Sequence, residues 1–104
     1  RLKKQGAISI KNYNQPRREQ RQMVIEAARQ AKMLVVAEGG SLYHMDMNLV
    51  ADGSTGIEHN IPVMNVYEDV LKFWAETQVG YTPTLVVTYG GLTSEDYFYQ
   101  ETEV

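Results

Sequence analysis

Two kinds of apolar pattern alternate along the chain. Short apolar runs of strand length occur at Ala7-Ile8-Ser9-Ile10, ending at Lys11, at Met33-Leu34-Val35-Val36-Ala37, at Thr55 to His59 and at Thr84-Leu85-Val86-Val87-Thr88. Between them lie longer stretches whose apolar residues recur at helical spacing. From Asn14 as cap, with Pro16 in the first turn, a helix is expected through about Lys32. Its apolar stripe is Met23, Val24, Ala27, Ala28 and Ala31, and its opening Arg17-Arg18-Glu19-Gln20-Arg21-Gln22 reads as a solvated face. Ser41 is the expected cap of a second helix, with Leu42, Met45 and Leu49 on one face and Gly53 at its end. Val66 to Thr77 is the best-patterned helix, carrying Val66, Val70, Phe73 and Trp74 on one side. After Thr88 the polar and aromatic tail predicts a short helical turn and then fraying.

The predicted order is βαβαβαβ. Strands alternating with helices imply right-handed crossovers and a parallel sheet, so the fold class is α/β with about four parallel strands. The run at Met33–Ala37 is continuously apolar, as in a strand covered on both faces. All strand carboxyl ends then lie on one side, where α/β folds place their sites. The residues at those ends are Lys11-Asn12, Glu38-Gly39, Glu58-His59 and Tyr89-Gly90.

Composition narrows the partners. A length of 104 residues makes residues 1–104 one small segment or domain, and the absent initiator Met fits a piece of a longer protein. A net charge of -3 argues against nucleic acid or an anionic membrane surface as partner. No apolar run is long enough to span a bilayer. Cysteine is absent, which removes disulfides and thiol catalysis from consideration.

The candidate chemistry sits at the strand ends, and each residue has a plainer alternative. His59 is a metal ligand, a general base or a hydrogen-bonded core histidine. Glu58 is expected on the opposite face from His59, because strand side chains alternate. Lys11 is either a surface lysine with a buried stem or a partly desolvated amine of lowered pKa, able to form a carbamate that bridges two metals. Glu38 precedes two glycines that either form a simple turn or let the backbone approach a ligand closely. His44 reads as a surface histidine. Tyr89, Gly90 and Gly91 contact substrate or simply turn the chain. Trp74, Phe73 and the methionines read as core.

The segments Gly53-Ser54-Thr55-Gly56-Ile57-Glu58-His59-Asn60-Ile61-Pro62-Val63 and Gly80-Tyr81-Thr82-Pro83-Thr84-Leu85-Val86-Val87-Thr88-Tyr89-Gly90-Gly91 resemble the metal-dependent amidohydrolase superfamily. The similarity is to its imidazolonepropionase and prolidase branch. It is greater still to the C-terminal amidohydrolase domain of large secreted bacterial proteins with a TolB-like β-propeller, and it runs over nearly the whole chain. The resemblance implies a (β/α)₈ TIM barrel, of which this segment covers about strands four to seven. It implies one or two divalent metals (Zn or Mn), hydrolysis of an amide or cyclic amide C–N bond in a small-molecule or peptide-like substrate, and a secreted or periplasmic location. It matches Lys11 to a carboxylated fourth-strand lysine and His59 to a sixth-strand metal histidine. At the fifth strand the family usually has a histidine. Here Glu38 stands near that place, so either Glu38 takes the ligand's role or the second metal is absent or weak.

The first-strand His-x-His pair and the eighth-strand Asp base of that family have no counterpart here. The chain alone is therefore expected to be inactive, and half a barrel is expected to self-associate through its open sheet edges. A non-catalytic binding or structural module on the same architecture is the alternative. An unrelated flavodoxin-like sheet is a third, weakened by the absence of a phosphate-binding loop.

Overall fold

In a computed structural model of the chain, residues 1–13, 15–40 and 42–84 are described. A 3-10 turn at Leu2–Gln5 leads into β1 (Ser9–Asn12), α1 (Arg18–Gln30), β2 (Leu34–Glu38), α2 (Tyr43–Ala51), β3 (Gly56–Glu58), α3 (Glu68–Thr77) and β4 (Gly80–Thr82). The strands form one parallel sheet in the order β1-β2-β3-β4. The fold is α/β, with a four-strand parallel sheet alternating with helices.

Register fixes which side each residue takes. Ile10 lies opposite Val35, Asn12 opposite Ala37, Ala37 opposite Ile57 and Ile57 opposite Tyr81. This row faces the helices. Val35 packs with Ile25 and Ala28 of α1. Ala37 and Ile57 pack with Leu49 and Val50 of α2, against Phe73 and Trp74 of α3. All three helices therefore cover the same face, as sequential strand order and right-handed crossovers require. Burying Leu49, Val50 and Ile57 stabilises the fold by about 1.5–3 kcal/mol each, since each is about 1% exposed. The other row, including Lys11, Val36, Glu38 and Glu58, points to the face that carries no helix among the described residues.

Four expectations change. The β2 strand is buried on one face only, with Leu34 exposed and Val36 half-buried, because every described helix lies on the other side. In α1 the buried positions are Arg21, Ile25 and Ala28, while Met23 is 70% exposed. Arg21 is thus not part of a solvated face: its guanidinium donates to the carbonyls of Gln15 and Pro16 and ties down the loop after β1. The fourth strand starts at Gly80 rather than Thr84. Gly80 lies opposite Gly56 and donates its N–H to the Thr55 carbonyl, a pairing of two residues without side chains that starts the ladder early. Both early helices start later than expected: α1 begins at Arg18 after Arg17 in the cap position, which leaves Pro16 outside its first turn, and Leu42 rather than Ser41 holds the cap position of α2. Asn14, Ser41, Leu85–Thr88 and the tail lie outside the described residues.

Candidate functional site

Strand ends on the helix-free face bring four side chains together. Lys11 at the end of β1 is ion-paired to both Glu38, the last residue of β2, and Glu58, the last residue of β3. Glu38 and Glu58 are register partners, so parallel pairing alone places their carboxylates side by side. Like charges so placed repel, and the Lys11 ammonium between them offsets that repulsion. Glu38 is the hub, with its side chain 19% exposed. One carboxylate oxygen faces Lys11, and the other lies 2.5 Å from His59 Nε2. His59 Nδ1 is 2.9 Å from the Thr84 hydroxyl, and Asn60 Nδ2 donates to the Thr84 carbonyl at 3.1 Å.

Glu58 and His59 both reach this cluster, against the alternation expected of a strand. The reason is the backbone of His59, whose φ is 70°. A left-handed residue breaks the two-residue repeat and swings its side chain back over the face that Glu58 already occupies. Histidine tolerates this region better than most residues, yet it still costs on the order of 1–3 kcal/mol. The His59 N–H keeps a partner in the Thr82 carbonyl at 3.1 Å. Strain of this kind, held by neighbouring bonds, concentrates at functional sites.

The electrostatics separate the two readings of Lys11. Its pKa is raised, through hydrogen bonds from its ammonium to Glu38 and Glu58 that outweigh desolvation. The same contact to Lys11 holds the Glu38 carboxyl below its ordinary value. Both groups favour their charged forms. Lys11 is a protonated amine here, not the neutral nucleophile that carbamate formation needs.

The glycines after Glu38 differ in purpose. The Gly39 N–H donates to the Glu58 carbonyl at 2.8 Å, extending the β2–β3 pairing past Glu38. A Cβ at Gly39 would lie 2.4 Å from that carbonyl oxygen, so only glycine fits. The close approach is to a neighbouring strand. The Gly40 N–H is taken by Asp46 Oδ1 of α2 at 2.9 Å.

The cluster thus joins Lys11, Glu38 and His59, and adds Glu58, which strand alternation would place on the other face from His59, and Thr84, which no pattern singles out. His44 is exposed on α2. Tyr89 and Gly90 lie outside the described residues. An apolar groove of about 360 Å³ between α3 and β4, lined by Val66, Val70, Leu71, Trp74 and Tyr81, lies elsewhere and is lined by no carboxylate, imidazole or amine. Among the described residues no group of three or more His, Asp and Glu side chains is arranged to hold a metal ion, and no helix is long and apolar enough to cross a membrane. No family model, curated protein or solved structure matches the chain.

Proposed function

We propose that this chain is one wall of a (β/α)₈-type barrel and supplies Lys11, Glu38 and His59 to a hydrolytic site acting on amide or cyclic amide bonds. The observation that carries this reading is the convergence of those side chains at the carboxyl ends of three consecutive parallel strands, on the face that carries no helix among the described residues. Strand order supports it too, since a doubly wound sheet would put helices on both faces. The divalent metal implied by the resemblance does not fit the described residues alone. The place between the two carboxylates is taken by the Lys11 ammonium, and Glu38 is already shared with His59. By itself the chain is therefore catalytically silent. Its contribution is an anionic, pre-positioned patch to which further strands must add donors.

The test compares this chain with a longer one that completes the barrel. The chain alone should show no amide hydrolysis with Zn or Mn, whereas the longer chain should hydrolyse amides and lose activity in His59→Ala. Turnover by the short chain that a chelator leaves unchanged would refute the reading. The alternative, a non-catalytic module, is favoured by one observation: the charges of Lys11, Glu38 and Glu58 satisfy one another. It is upheld if the longer chain keeps its fold in Glu38→Gln and hydrolyses nothing in either form.

A further inference from the structure

Asp46 is a buried acid that the cluster does not include. It lies in the first turn of α2 and is 1% exposed. One oxygen accepts the Gly40 N–H at 2.9 Å, and the other has no hydrogen-bond partner among the described residues. Burial pushes its carboxyl up, against the opposing pull of the Gly40 N–H and of His44. A half-satisfied buried carboxyl is costly, so its position demands a reason other than stability. The residue it holds supplies one. Gly40 is two residues from Glu38, and the Gly39 N–H between them is fixed to the Glu58 carbonyl. The turn leaving β2 is thereby pinned twice, to β3 at Gly39 and to α2 at Gly40.

We infer that Asp46 is a positioning residue for the cluster: by holding Gly40 it fixes the end of β2, so that Glu38 meets Lys11 and His59 together. The role needs only the cluster and is independent of whether metal or substrate ever binds there. The path is short: one hydrogen bond joins Asp46 to the Gly40 amide, and the peptide chain through Gly39 leads from there to Glu38. The Asp46 carboxyl acts from the helix side of the sheet, whereas the cluster lies on the opposite face.

The test uses nuclear magnetic resonance on the whole chain, with Asp46→Ala, Asp46→Asn and, as a control for general destabilisation, Leu49→Ala from the same helix. In Asp46→Ala the Gly40 amide should lose about tenfold in exchange protection, the worth of one ordinary hydrogen bond. The His59 ring nitrogen signals should shift as the contact to Glu38 loosens. Asp46→Asn retains an acceptor oxygen and should keep both signatures near wild type. Leu49→Ala should lower the melting temperature yet leave the His59 signals in place. Should Asp46→Ala fail to fold, Asp46→Ser, whose hydroxyl is too short to reach Gly40, gives the same comparison. Unchanged Gly40 protection and His59 signals in a folded Asp46→Ala or Asp46→Ser variant would overturn the inference. So would Leu49→Ala moving the His59 signals as far as Asp46→Ala does.

Discussion

Gly39 and Gly40 are adjacent in sequence, but substitution by alanine should separate them sharply. At Gly39 the new Cβ would lie 2.4 Å from the Glu58 carbonyl oxygen and 3.1 Å from Ile57 Cγ2. The first of these is backbone and cannot turn aside, so the end of β2 must move off β3. Overpacking of this kind costs about 1–3 kcal/mol. The hydrogen bond from Gly39 to Glu58 is lost as well, for about 1 kcal/mol more. The sum is roughly 2–4 kcal/mol, against a total of about 5–15 kcal/mol for a domain of this size. With a urea slope of about 1–3 kcal/mol/M, the unfolding midpoint should fall by on the order of 1–2 M. At Gly40 the new Cβ would meet only Met45 Cε, at 4.0 Å, the free end of a flexible side chain. Gly40 is not among the positive-φ residues. Alanine there should be neutral, or stabilising by about 0.4–1 kcal/mol through the unfolded chain. Urea unfolding followed by Trp74 fluorescence measures both. Equal midpoints for the two variants would refute the reasoning, because they would mean that the β2–β3 approach at Gly39 is not what holds this end of the sheet.

Lys11→Met leaves Glu38 and Glu58 facing each other uncompensated, so it should lower the urea midpoint at pH 7; the gap to wild type should narrow as the pH falls through the lowered folded value of Glu38. In wild type the raised Lys11 pKa adds stability that is fully present below the unfolded lysine value, near 10.4, and is lost as the pH rises through the higher folded value; the advantage of wild type over Lys11→Met should shrink across that alkaline range. Asp52 is held below its ordinary pKa chiefly by the bidentate contact from Arg18, with help from Gln22. Its contribution is therefore present above the unfolded aspartate value, near 3.9, and is lost as the pH falls through the lower folded value; Asp52→Asn should be less stable than wild type at pH 7 and nearly equal to it at pH 2. We further expect self-association, since β1 and β4 are each paired on one side only among the described residues; light scattering that gives a monomer at micromolar concentration would exclude it.

Much of this architecture is legible in the sequence. The apolar block before Glu38 and the periodic stretch ending at Thr77 predict β2 and α3 to within about two residues, because burial and chain geometry act locally there. The misreadings share a cause, which is that they depend on neighbours far along the chain. Arg21 sits in a polar stretch, but it is buried because loop carbonyls converge on it. The β4 strand begins at Gly80 because Gly56 lies opposite, which no local pattern announces. Strand alternation predicts Glu58 and His59 on opposite faces, and it fails at a single left-handed residue. Asp46 resembles any acid in a first helical turn until Gly40 is seen to be its partner. The meeting of Lys11 with Glu38 followed from parallel topology alone, whereas the charge state of Lys11 required knowing that two carboxylates surround it.

The sequential strand order also bears on how the chain is made. Each strand pairs with the one synthesised just before it, so the sheet can grow in the order in which residues leave the ribosome. The first βαβ unit already contains Lys11 and Glu38, and their ion pair can close before β3 exists. Glu58, 47 positions beyond Lys11, follows Glu38 by roughly one to four seconds at typical synthesis rates of about 5–20 residues per second. The second carboxylate therefore arrives at a site whose repulsive partner has already been neutralised. Had the lysine belonged to the last strand instead, the nascent chain would have had to bring two like charges into register with nothing between them.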